Sequence, residues 1–408
     1  MNEILRADKL KYVHSDIRGP IFEESNRMRA AGIDVLRLNT GNPATFGFGI
    51  PASVKNALLE NVDKAAAYCD LRGMPASREA IYRYHLTKNL PNINNEDIFI
   101  GNGVSELVSM ALTALLNDGD EILIPSPDYS LWTNSAYIAG GVPVHYICDE
   151  QSNWYPDIAD IKRKVTSKTK AILIINPNNP TGAVYPEEVL LQIADIAREH
   201  DLIVFSDEIY DRLLMDGVKH TSIGKLAPDL FVVTFNGLSK SHIVCGFRCG
   251  WMIMSGNREK GRDYIAGLVA LAAMRLCSNA LMQLVIPAAL ADNESTQAML
   301  VPGGRLYEQR EACCTALDGI EGVTYVKNKA AFYLFPKLDV ERFNITNDKQ
   351  FAFDYLHEKH VMIIPGSGFN WAKPDHFRIV MLPEPAQLSK AMHDLGDFLS
   401  TYRQNCNG

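Results

Sequence analysis

The chain has 408 residues, 47% of them hydrophobic and 22% charged, so it can bury a large core and form two domains, or one large domain with a satellite. Its 48 acidic residues outnumber the 40 basic ones for a net charge of -8, which argues against binding a nucleic-acid phosphate backbone as the main activity. Apolar runs such as 171–175 and 202–205 have strand length and fall far short of a membrane span.

The first twenty residues mix charges every few positions, unlike a secretory or transit segment, and are expected to belong to the mature protein. From about 51 to 293 the pattern alternates strands and helices. A short strand at 97–100 meets a Gly-Asn-Gly turn, then an apolar-periodic helix to about Leu116, then the strand EILIP at 121–125. The same grammar continues through TKAILIINP, the helix PEEVLLQIADIAREH, LIVFSDEIY and LFVVTFNGLSK. This predicts an α/β unit with a mostly parallel central sheet flanked by helices. After Asn293 the Pro302-Gly303-Gly304 turn opens a long helix near Arg305. Strand-like YVKN, AAFYLFPKL and HFRIVML follow with an intervening helix, which reads as a smaller α+β unit. The predicted division is an arm and part of the small domain at 1–50, a large domain at 51–294 and a small domain at 295–408. Eight cysteines without a CxxC pair give no reason to expect a zinc or other metal site, and reduced thiols fit the cytoplasm.

In open α/β sheets ligands gather at the carboxyl ends of strands, here the turns at 101–105, 126–129, 176–182, 206–210 and 236–240. NPNNPTG at 176–182 makes a rigid polar turn after an apolar strand, although such a turn is useful without any ligand. In SDEIY at 206–210, Asp207 directly follows four apolar residues and a serine, with Tyr210 three residues on; a helix-capping acid is the plain alternative. In NGLSKSHIVCGFRCGW, Lys240 follows the strand FVVTF and Arg248 lies eight residues further on, whereas most lysines are solvated surface groups. The three motifs in this order are what distinguish the chain from an ordinary α/β protein.

On those motifs the chain resembles the class I aminotransferases of pyridoxal-phosphate fold type I over essentially its whole length. Within that family it is similar to the bacterial glutamate–pyruvate (alanine) aminotransferases, through DIRGP at 16–20, GNPATFGF at 41–48, PGGRLYEQR at 302–310 and FNW at 369–371. The resemblance implies pyridoxal 5′-phosphate as cofactor, with Lys240 its Schiff-base lysine and the shuttle of the substrate proton. It implies that Asp207 pairs with the pyridinium nitrogen, that Asn179 and Tyr210 hydrogen-bond the 3′ oxygen, and that Tyr129 stacks on the ring. The phosphate would be held by the helix start at Val104 and Ser105, by Ser239 and Arg248, and by Tyr68 from a second subunit, which implies a homodimer with shared sites. Arg378, with Gly41 beside it and Asn179 adjoining, would grip the substrate α-carboxylate, and Arg18 is the candidate for a distal carboxylate.

The chain departs from the pattern at Gly237, where many relatives carry a hydroxyl residue three before the lysine, and at Ser15, where the alanine branch leads one to expect an aromatic. The reading that follows is ping-pong transamination between L-alanine and 2-oxoglutarate, giving pyruvate and L-glutamate. Its rivals are transamination of another amino acid, a C–S β-lyase, and a non-catalytic cofactor-binding regulator. The last would need an appended DNA-binding module, for which the resemblance leaves no expected room.

Overall fold

Alternating apolar residues build the centre of the molecule. In the computed structural model, which describes residues 3–404, Thr169–Ile175 sends Ala171, Leu173 and Ile175 to one face of a sheet and Ile172 and Ile174 to the other. Both faces are covered, which is why this strand reads as a continuous apolar run and not as an alternation.

Fifteen strands are described. They are β1 (Leu36–Arg37), β2 (Ile98–Asn102), β3 (Glu121–Ser126), β4 (Val142–Asp149), β5 (Tyr155–Pro156), β6 (Thr169–Ile175), β7 (Ile203–Asp207), β8 (Phe231–Gly237), β9 (Cys249–Gly256), β10 (Val323–Thr324), β11 (Tyr333–Leu334), β12 (Lys337–Leu338), β13 (Val361–Met362), β14 (Ile364–Pro365) and β15 (Phe377–Val380). Eight of them form the main sheet in the order β2-β9-β8-β7-β6-β3-β4-β5. The run from β8 to β4 is parallel, while β9 pairs antiparallel with both β8 and β2, and β5 with β4. The sheet is thus α/β and mostly parallel, as the sequence pattern predicted.

One face packs against the helices Val104–Leu115, Leu131–Ile138 and Arg262–Met274 through Leu107, Trp132 and Leu268. The other face packs against Glu187–Glu199 and the carboxyl-terminal part through Leu190, Ile193 and Leu334. Burying one such aliphatic side chain is worth roughly 1.5–3 kcal/mol, so the two faces supply the main drive for folding.

The carboxyl-terminal part is built from Arg305–Asp318 packed on Pro385–Thr401, the helix Asp348–Lys359, and the small sheet β11-β15-β14. Parallel pairing of β1 with β13 ties the amino-terminal arm to it. One local expectation is corrected: YVKN at 325–328 is not a strand. The pairing there lies earlier, at Val323–Thr324 against Lys337–Leu338. Lys327 instead reaches Glu311 at 2.8 Å, Asn328 accepts from the buried Arg310, and Lys329 donates to Gly182, so the segment's polar groups go to side chains and a turn and not to a ladder.

Candidate active site

The carboxyl ends of β3, β6, β7 and β8 open onto a cavity of about 740 Å³, closed on the far side by the arm and by β11 and β15. Parallel strands end their backbone ladders on the same edge, so the turn following each one delivers its side chains to one place.

Asp207 is the last residue of β7 and is buried. The Trp132 indole N–H donates to its Oδ2 at 3.0 Å and the Ile209 N–H to its Oδ1 at 3.3 Å. Burial pushes this carboxyl up to about 6, because those two bonds only partly replace the water it has lost. No cation neutralises it among the described residues' ion pairs, so the site is ready for a positively charged or N–H-bearing group.

Lys240 follows β8 on the short helix Leu238–Ser241, and its Nζ donates to the Gly41 carbonyl at 2.8 Å across the cavity from the arm. Gly41 must be glycine for steric reasons. A Cβ there would fall 2.2 Å from the Tyr333 hydroxyl and 2.7 Å from the Phe332 ring. Tyr210, buried on the turn after Asp207, donates to the Tyr333 hydroxyl at 3.0 Å, and burial lifts its phenol well above the ordinary value.

Arg378 enters from β15 and is buried. Its guanidinium donates to the Asn39 carbonyl and, at 3.2 Å, to Asn179 Oδ1, and lies 4.6 Å from the ring centres of both Tyr333 and Phe369. Its Nε is buried without a partner. Burial without a carboxylate partner lowers its affinity for the proton. A buried cation with an unused donor on a cavity wall is a receptor for an anion.

A second anion corner lies at the start of Val104–Leu115. This helix has Gly103 at its N-cap and no side-chain cap, so its first N–H groups are left to whatever enters the cavity. Arg248 stands over it, donating to Ser105 Oγ at 3.2 Å and to the Asn102 carbonyl. Gly103 has φ 81°, and a Cβ there would meet Arg248 Nη2 at 2.3 Å, so the glycine admits the guanidinium. Ser239 shares this stretch of the wall, and Tyr129 forms another side.

Of the residues expected from sequence, Arg18, Gly41, Val104, Ser105, Tyr129, Asn179, Asp207, Tyr210, Ser239, Lys240, Arg248 and Arg378 all line this one cavity, and Ser15 lies with Arg18 at its exposed rim. Tyr68 does not; it is 80% exposed and away from the wall. Trp132, Tyr333 and Cys245 are on or against the site and were not anticipated. Trp132 reads in sequence as a core aromatic of a helix, and Tyr333 as one more apolar position of AAFYLFPKL, so neither carries a signal of its own.

Comparison with known proteins agrees with this geometry. Residues 33–395 match the family described as aminotransferase class I and II. The chain is 51% identical over 399 residues to the glutamate-pyruvate aminotransferase AlaA of Haemophilus influenzae, covering 98% of this chain and 99% of that one. It is 47% identical over 400 residues to the alanine aminotransferase of Mycobacterium bovis, covering 98% and 93%. Among solved structures, an aminotransferase from Escherichia coli superposes with a TM-score of 0.97 at 47% identity, covering 99% of this chain and 100% of that one. The alanine aminotransferase of Pyrococcus furiosus superposes with a TM-score of 0.93 at 36% identity, covering 97% and 100%. With strand-end turns converging on one cavity that holds a lysine, an uncompensated acid and two anion corners, this chain belongs to the class I and II aminotransferase family.

Proposed function

We propose that the protein transfers an amino group between L-alanine and 2-oxoglutarate, yielding pyruvate and L-glutamate, with pyridoxal 5′-phosphate held in the cavity. The observation that carries this reading is the uncompensated burial of Asp207 and of the Arg378 Nε around Lys240, which matches a ring bearing a protonated nitrogen on one side and a substrate carboxylate on the other. The alanine and glutamate–pyruvate aminotransferases at 47% and 51% identity support the choice of substrates.

The residues present fit the cofactor. The uncapped helix start with Val104 and Ser105, together with Ser239 and Arg248, suits its phosphate; Asp207 suits the ring nitrogen, Asn179 and Tyr210 the 3′ oxygen, and Tyr129 the ring face. When bound, pyridoxal phosphate supplies an electron-withdrawing ring that takes up the electron pair of the substrate's Cα–H bond. Asp207, kept ionised by a positive partner, holds that ring nitrogen protonated. With the cofactor bound, Lys240 Nζ would be the group that takes the proton from the substrate Cα. Arg378 fixes the α-carboxylate, so that this Cα–H bond faces the lysine. Arg18, which lines the cavity at its exposed rim, is the candidate partner for the distal carboxylate of glutamate and 2-oxoglutarate.

The same reading includes a homodimer in which the exposed Tyr68 reaches the partner's phosphate corner, and a division of the chain at about residues 50 and 294. It also includes the cytoplasm as compartment. The seven cysteines among the described residues are free thiols, in keeping with a reducing milieu, while Cys406 lies outside those residues. No helix among them is long and apolar enough to cross a membrane.

The test is the visible spectrum of the purified holoenzyme before and after L-alanine, with 2-oxoglutarate then added and glutamate assayed. Conversion of the cofactor band by alanine, its recovery with 2-oxoglutarate and stoichiometric glutamate are expected. A band that alanine leaves unchanged while another amino acid converts it removes the substrate assignment and directs attention to Ser15 at the rim. Absence of any band removable by Lys240→Ala removes the cofactor assignment.

A further inference from the structure

The Tyr333 hydroxyl sits at the centre of the site, yet the reaction just described makes no use of it. Tyr333 is 2% exposed and held by its backbone pairing with Val380 between β11 and β15, two residues from Arg378. Its ring lies 4.6 Å from the Arg378 guanidinium, its hydroxyl closes on Gly41, and it meets the Tyr210 hydroxyl at 3.0 Å. The two phenol rings stand edge to face at 83°, with centres 5.7 Å apart, so the contact between hydroxyls is fixed by packing on both sides.

A phenol has one proton to give and two lone pairs to receive with. Tyr210 can donate to Tyr333 or into the cavity, but not to both. When it donates into the cavity, its lone pairs face Tyr333, whose own proton then has Tyr210 as its acceptor. A hydroxyl that accepts a hydrogen bond becomes a stronger donor in turn. We propose that Tyr333 is a positioning residue that donates to the Tyr210 oxygen, directs the Tyr210 proton onto the cofactor's 3′ oxygen, and thereby lowers the pH at which the Lys240–cofactor linkage loses its proton. This rests on the assignment of Tyr210 in the proposed function.

The sign follows from where the charge resides. While the linkage nitrogen is protonated, its N–H also satisfies the neighbouring 3′ oxygen. After that proton leaves, the negative oxygen depends on Tyr210, so a weaker Tyr210 donor penalises the deprotonated form and raises the midpoint. The other charged or titratable groups facing the pair are Lys240, Arg378, Asp207, Tyr129 and Cys245; the Tyr333 phenol also acts directly on Lys240 and Arg378, so the double variant is what isolates the route through Tyr210.

The experiment is a spectrophotometric pH titration of the holoenzyme's visible band in wild type, Tyr333→Phe, Tyr210→Phe and the double variant, with thermal unfolding recorded for each. The phenylalanine ring keeps the contact with Arg378, so folding is retained. The expected midpoint rises by about half a unit in Tyr333→Phe and by about one unit in Tyr210→Phe, and the double variant matches Tyr210→Phe alone. A Tyr333→Phe midpoint equal to wild type, with Tyr210→Phe shifted, overturns the proposal and leaves the Tyr210 assignment intact, as does a fall in unfolding temperature with no spectral change. Additive shifts in the double variant overturn it too, since Tyr333 would then act independently. An unshifted Tyr210→Phe removes the Tyr210 assignment itself, and the proposal with it.

Discussion

Replacing Arg378 with lysine keeps a positive charge on β15 but removes the planar fork. In the structure two of the guanidinium nitrogens are engaged by Asn39 and Asn179, Nε is buried and unused, and the ring centres of Tyr333 and Phe369 each lie 4.6 Å away. An ammonium keeps one charge-assisted contact to a carboxylate and loses the second, along with the guanidinium's contacts with the two rings. A charge-assisted hydrogen bond contributes roughly 1.5–3 kcal/mol net. At about 1.4 kcal/mol per factor of ten, Arg378→Lys is expected to lower kcat/KM about 10–150-fold. The carboxylate is gripped alike in the ground state and the transition state, so the loss falls mainly on KM. Alanine and 2-oxoglutarate both carry an α-carboxylate, so both half-reactions should weaken by a similar factor. Stopped-flow amplitudes of each half-reaction against substrate concentration measure this. A kcat/KM within threefold of wild type, or a loss confined to one of the two substrates, refutes the role given to Arg378.

Arg18→Gln is expected to raise KM for 2-oxoglutarate and glutamate about tenfold or more while leaving alanine unchanged, because only the dicarboxylates offer it a partner; steady-state kinetics with each substrate decide it. Asp207 titrates near 6 in the folded cofactor-free chain against an ordinary 3.8, so folding favours its protonated form, and stability falls as pH rises between those values and stays reduced above. Cofactor-free Asp207→Asn should therefore be more stable than wild type by about 1–3 kcal/mol at neutral pH, with the difference closing below about pH 4, as read by denaturant titration at several pH values. Lys88 pairs with the buried carboxylates of Asp211 and, at 3.5 Å, Glu208, beneath the turn that carries Asp207 and Tyr210. Lys88→Met removes the cation from both, leaving Asp211 to the Tyr84 and Asn236 donors and Glu208 to Ser206 and His220, and should cost about 3–5 kcal/mol in equilibrium unfolding. Gly41→Ala drives a methyl group into Tyr333 and Phe332, so the arm must shift and, in the cofactor-free chain, Lys240 lose its 2.8 Å contact; a cofactor-free protein with an unaltered unfolding midpoint would contradict that packing.

Apolar runs of strand length with polar turns after them were enough to read the α/β class and the mostly parallel sheet, because these features arise from local periodicity and from chain connectivity. The same turns marked Asp207, Asn179 and Lys240, since an acid, an amide or a lysine directly after a buried strand is placed at the sheet's carboxyl edge by the strand itself. In the main sheet β4, β5 and β9 escaped, as did the two-residue strands β1, β10, β13 and β14 outside it. In β4, His145 breaks the apolar run, and β9 runs from Cys249 to Gly256 through glycines that favour neither a helix nor a strand and methionines that suit either. YVKN misled because its tyrosine and valine favour a strand, whereas its next residues find partners in Arg310 and Gly182. The reach of Arg378 to Asn179, 199 residues apart, the indole of Trp132 on Asp207, and the Tyr210–Tyr333 pair were decided only by tertiary structure. Hydrogen bonds and burial couple residues by distance in space. A linear pattern records which face a side chain takes, but not what stands across the cavity from it.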